Sequence, residues 1–167
     1  MLSVLVAVEL IRYVHTARKM YLKTLSELPW DEVVKDRGAS FPSIRDIFLH
    51  ALNQEDRLIN YIIPGNAERW TSEEPGKLLN MQMIEERVDK TEKKVDAYLA
   101  NLAESELNKK VEGPRRQGPP IQMRIEDILI HVATENIYHL GEMEAIFYQM
   151  DKQAPFINWF AFLEQGT

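Results

Sequence analysis

Glu135 and His139, four residues apart, are the side chains whose types and spacing point most directly to chemistry. They fall in a segment from Arg124 to Met150 in which Ile125, Leu129, Val132, Asn136, His139, Met143, Ile146 and Met150 alternate in steps of four and three. That spacing is the seam of a helical bundle, and Asn136 and His139 are its polar members. With Val132 as reference and about 100° of rotation per residue, His139 lies about 20° away and Glu135 about 60° away on the same side. The two therefore stack on one inward-looking face. A carboxylate in such a place is costly unless it is paired or bound to metal. A Glu and a His at this spacing offer lone pairs toward one point and can share a divalent cation. A third ligand must come from another helix. His15 and His50 are the free histidines, and helical wheels do not choose between them. The plainer reading is a Glu–His ion pair, buried or at the bundle end. By the same logic His131, about 100° from the reference, is a flank histidine with a hydrogen bond, and His15 a surface or core-edge residue.

Four segments must position these groups. The first, about Ser3 to Leu28, carries Val4, Val8, Ile11, Val14, Ala17, Tyr21, Leu25 and Leu28 at three- and four-residue steps, one face of a helix. Pro29 and Trp30 break it, and Gly38 lies in the loop beyond. The second, about Ser43 to Ile63, opens on Ser43 with Asp46 three residues on, a weak form of capping box. Its stripe is Ile44, Phe48, Ala51, Leu58 and Ile62, and Pro64-Gly65 ends it. A polar loop runs through Trp70 and Glu73-Glu74-Pro75-Gly76. The third, about Leu79 to Leu107, has a narrower stripe and a dense charge run that reads as a solvated face with Glu–Lys pairs. Gly113 to Pro120, with Pro114, Arg115, Arg116 and Gly118 inside it, cannot be helix and reads as a loop or short hairpin turn. The fourth is the seam-bearing segment, which Pro155 stops. The tail from Phe156 to Leu163 is unusually aromatic and should dock on the body or on a partner. Four amphipathic helices without a convincing strand pattern predict an all-α four-helix bundle, one domain over 1–167.

Composition narrows the function. The 167 residues include no cysteine, which excludes a disulfide framework, a thiolate metal site and a cysteine nucleophile. The net charge of -6 and the scattering of basic residues among acids argue against nucleic acid as a partner. Met1 to Leu10 is apolar but lacks the basic start and small-residue cleavage site of a signal peptide. No apolar run approaches the roughly 20 residues of a membrane span. The expected setting is the cytoplasm, away from membranes.

Two stretches carry a family resemblance. Ser43-Ile44-Arg45-Asp46-Ile47-Phe48-Leu49-His50 resembles the start of the second helix in the DinB/YfiT-like family, where a Ser/Thr-led helix carries a metal histidine. The stretch Glu126 to Glu142, with His131-Val132, Glu135, His139-Leu140-Gly141-Glu142, resembles that family's last-helix motif, roughly His-Val-x-x-His-x-x-x-His-Arg-Gly-Gln. The tail Phe156-Ile157-Asn158-Trp159-Phe160 is similar to its closing segment. The resemblance implies a DinB-like four-helix bundle with a metal held by His50, Glu135 and His139. It thus selects His50 over His15 and makes His131 a neighbour of the site. Three positions depart from the motif: Glu135 replaces the middle histidine, Leu140 the arginine and Glu142 the glutamine. Two histidines and a carboxylate still form a facial ligand set, compatible with zinc, nickel, iron or manganese.

Two functions are then expected to compete. One is a metal-dependent enzyme, a hydrolase or thiol-dependent transferase acting on a small molecule. The metal would serve as Lewis acid or lower the pKa of bound water or thiol. Glu135 or Glu142 would be the base if not bound to metal, and a low-molecular-weight thiol would be a cosubstrate. The other is a non-catalytic bundle with a vestigial metal site, acting in assembly or ligand binding. A homodimer is implied by the resemblance and consistent with the aromatic tail.

Overall fold

The computed structural model describes residues 2–72, 74–113, 115 and 117–165. Met1, Glu73, Pro114 and Arg116, named above, lie outside them. Helix α1 (Val4–Ser26) begins where Ser3 accepts a hydrogen bond from the Val6 amide at 3.3 Å. It ends two residues before Leu28. Pro29 does not open a plain loop but starts a second short helix, α2 (Trp30–Val34), as proline does well at a helix start. Helix α3 (Ile44–Arg57) is capped by Ser43, which accepts from the Asp46 amide at 3.2 Å. The Asp46 carboxylate turns to Arg45 (2.8 Å), so the salt bridge has taken one half of the expected box. A π-helical turn, Leu58–Ile62, carries α3 on to the Pro64-Gly65 stop.

Asn80 caps α4 (Met81–Leu99), accepting from the Met83 amide at 2.9 Å. The third segment is therefore shorter than its sequence pattern suggests. The chain leaves the helix at Ala100 and re-enters it in α5 (Glu104–Leu107). A hairpin follows, β1 (Lys110–Gly113) antiparallel to β2 (Ile121–Arg124), with Val111 facing Met123. The pairing agrees with the short hairpin turn expected over Gly113 to Pro120 and adds two strands to an otherwise helical bundle. At four residues each they are too short to show alternation. The hairpin leads directly into α6 (Ile125–Gln149), whose first turn is fixed by Asp127 accepting from the Arg124 guanidinium at 2.7 and 2.8 Å. The tail forms α7 (Trp159–Gln165). Trp159 and Phe162 sit edge-on to Tyr13 of α1, at 5.5 and 5.6 Å between ring centroids.

Helix α6 packs against both α1 and α3, and α4 against the same two. The core is divided. One apolar cluster gathers Tyr21, Leu25, Phe48, Leu52, Ile84, Val88, Met143 and Phe147. The other gathers Ile11, Leu58, Ile62, Val95, Leu99, Leu129 and Val132. Along all four long helices the residues between the two clusters include buried polar ones: His15 and Arg18, Glu55 and Asp56, Thr91 and Glu92, Asn136 and His139. A polar layer thus crosses the middle of the bundle. Among the described residues no helix is long and apolar enough to cross a membrane.

Candidate metal centre

His139 projects from the predicted seam of α6 and is almost wholly buried, with Glu135 one turn before it and half-buried. His50, on the facing α3, completes the group. Nε2 of His50 and Nε2 of His139 both lie 3.3 Å from the same Glu135 oxygen, Oε1. One donor atom from each residue falls within 4.8 Å of the others. The structure therefore brings together the three residues that the resemblance selected. It leaves out His15, which is engaged elsewhere, and His131, which is exposed on the outer face of α6.

The loop between α2 and α3 supplies what the sequence reading missed. The Ser40 amide and hydroxyl donate to the Glu142 carboxylate at 2.8 and 2.7 Å, and Glu142 Oε2 lies 3.0 Å from His139 Nδ1. Burial raises the Glu142 pKa, but these hydrogen bonds outweigh it and hold the carboxyl below its usual range. An ionised Glu142 favours the tautomer with the proton on His139 Nδ1, and in that tautomer of the neutral ring the Nε2 lone pair is turned toward Glu135. A carboxylate behind a ligating histidine is the arrangement that fixes ring tautomer and orientation in metal sites. Phe41, from the same loop, stacks on the His50 ring at 4.2 Å and meets His139 edge-on at 5.8 Å. Burial lowers the His50 pKa, and His139 adds to the effect against the opposing pull of Glu135. His50 is thus biased toward the neutral form that binds metal. No helical periodicity marks Ser40 or Phe41, because they act from a loop.

This donor set fits a divalent cation. Two imidazole nitrogens and a carboxylate oxygen converge from two helices with their donor atoms within 4.8 Å of one another, close enough to share one ion.

The polar layer beneath is of another kind. Arg18 lies between Glu55, with which it forms a close ion pair, and Glu92 at 3.0 Å, and it also donates to Asn136 at 2.9 Å. His15 Nε2 meets the other Glu55 oxygen at 2.8 Å. Burial alone would raise the Glu55 pKa, but the Arg18 charge and the His15 hydrogen bond bring it down to about 2. Arg87 closes the layer on Asp56 at 2.7 Å. The sequence signal was present but easily passed over: in each long helix a charged or polar residue stands at or beside the apolar stripe at one common depth.

A helical bundle with an interhelical His/Glu/His triad is the class that fold and site define. The DinB family model matches residues 1–166, and the chain belongs to that family. Among solved structures it is similar to a DinB-like protein from Bacillus cereus ATCC 10987, with a TM-score of 0.63 at 12% identity over 89% of this chain and 95% of that one. At such identity the likeness speaks to the fold. None of the curated proteins compared with the chain matches it.

Proposed function

We propose that this chain is a cytoplasmic metal-dependent enzyme that binds a divalent transition metal through His50, Glu135 and His139 and acts on a small molecule by hydrolysis or thiol-dependent transfer. The observation that carries the reading is the meeting of two Nε2 atoms on one Glu135 oxygen, with Glu142 turning the His139 lone pair inward. A divalent cation would supply Lewis acidity there and lower the pKa of a bound water or thiol. The chain's own residues do the rest. Glu142 positions His139, and Ser40 positions Glu142. Phe41 covers the two imidazoles and limits water at them. Glu142 is engaged on three sides and Glu135 is a ligand, so in this reading neither is the free base that the sequence suggests. With no cysteine in the chain, a reacting thiol is a cosubstrate.

Elemental analysis of tag-free protein reconstituted with zinc, nickel, iron or manganese tests this directly. Near-stoichiometric metal is expected in wild type, with loss in His50→Ala and Glu135→Ala. Full retention of metal in His50→Ala would refute the assignment.

A role in assembly has its own support. Tyr138, Tyr148, Phe156 and Phe160 are 61–76% exposed, along the outer face of α6 and the tail. Monomers rarely leave so much aromatic surface in water. A homodimer through this surface belongs to the proposal. Light scattering should give about twice the chain mass and return to the monomer mass in Tyr138→Lys/Phe160→Lys; a monomeric wild type at tens of micromolar would remove the dimer.

A further inference from the structure

A cleft of about 570 Å³ opens between α1 and α4, walled on one side by Phe162 of α7. It shares no residue with the triad. Its floor is His15, 6% exposed, and its chemistry follows from how that ring is held. Nε2 points inward to the fully buried Glu55 at 2.8 Å, and Glu55 is already paired with Arg18. An ionised carboxylate accepts, so Nε2 carries the ring proton. In the neutral ring Nδ1 then faces outward with its lone pair, 3.6 Å from the Asp96 carboxylate. That distance is beyond a hydrogen bond. In that state two acceptors face one another, with a donor's place alongside both.

Arg12 lies one turn before Thr16 on the same face of α1, exposed at the cleft, and its guanidinium has no ion pair among the described residues. Lys19, the other cation of the lining, is drawn to Glu92 at 3.4 Å. The cleft therefore offers an unpaired guanidinium for a carboxylate, an acceptor pair for an amine, and an apolar wall of Val8, Leu99 and Phe162. The two flanking cations argue against a metal ion in the same place.

We propose that this cleft is a second small-molecule site, for a zwitterion of the amino-acid type: carboxylate on Arg12, ammonium between His15 Nδ1 and Asp96, side chain on the apolar wall. The proposal does not depend on the metal reading.

Three probes that share one apolar group test it on the full-length, isotope-labelled protein: L-phenylalanine, phenethylamine and 3-phenylpropionate, followed by NMR at the His15 ring and Phe162. L-Phenylalanine should give saturable shifts there and none at the exposed His131. The amine and the acid alone should bind at least about tenfold more weakly, the loss expected for one charge-assisted contact. Arg12→Ala and Asp96→Asn, both at exposed positions, should each weaken L-phenylalanine by a similar factor. Arg12→Ala should leave the amine unaffected, and Asp96→Asn the acid. Binding should persist in His50→Ala, which separates this cleft from chelation at the triad. The proposal is overturned by non-saturable shifts, by undiminished binding in Arg12→Ala or Asp96→Asn, by loss of binding in His50→Ala, or by 15N shifts showing both His15 nitrogens protonated in the free protein near pH 7.5.

Discussion

The triad and the polar layer both set glutamate against histidine, and differ in what else faces the carboxylates: arginine in the layer, none in the triad. In the layer every carboxylate meets a donor: Glu55 has Arg18 and His15, Glu92 has Arg18, Asp56 has Arg87. Its three carboxylates are met by two guanidinium groups, by the His15 ring and, from the edge, by Lys19. In the triad two imidazole nitrogens share one carboxylate oxygen at 3.3 Å, half-open to solvent, and the shorter contact at His139 comes from behind, from Glu142 at 3.0 Å. A completed network holds helices together, whereas an uncompleted one is poised for a cation. The same chemistry thus has opposite uses according to whether donors outnumber acceptors.

The contrast can be broken most forcefully in the layer. Arg18→Met strands two buried carboxylates and should cost about 3–5 kcal/mol of stability, the usual penalty for removing one member of a buried pair. Urea unfolding would measure it. Acid sharpens the same point. Glu55 sits at about 2 in the fold against 4.5 ordinarily. Its pKa is depressed, so its contribution is complete above the ordinary value and is lost as pH falls through about 4.5 toward 2. Stability of wild type should decline across that window, and Glu55→Gln, already destabilised, should decline less steeply. Parallel slopes would mean that Glu55 is not the group being protonated.

At the triad the expected effects are on metal and not on folding. Glu142→Gln should weaken metal binding about 10–100-fold, as loss of an orienting carboxylate does elsewhere, with little change in the unfolding midpoint. Competition with a chelator would read the first and urea the second. Ser40→Ala acts at one further remove and should weaken metal less than Glu142→Gln does. If Ser40→Ala exceeded Glu142→Gln, the order Ser40–Glu142–His139 would be wrong.

The helices, their inward faces and the place of His139 among the buried residues were legible in the sequence because they are periodic. Val132, Asn136, His139 and Met143 could be assigned to one face from 3.6-residue geometry alone, and the cap at Ser43 follows from its residue type and place before the apolar stripe. Family resemblance chose His50. Other features needed the third dimension. The hairpin is too short to leave a pattern. The exit from α4 at Ala100 falls where the sequence has neither glycine nor proline to mark it. Ser40 and Phe41 come from a loop that carries no period. The pairing of Arg18 with Glu55, Glu92 and Asn136 joins four helices, and a helical wheel describes one helix at a time. Periodicity is a property of a chain, so it is written in the sequence. Which lone pair meets which proton depends on the distances between chains of atoms far apart in it, and only the folded structure sets those.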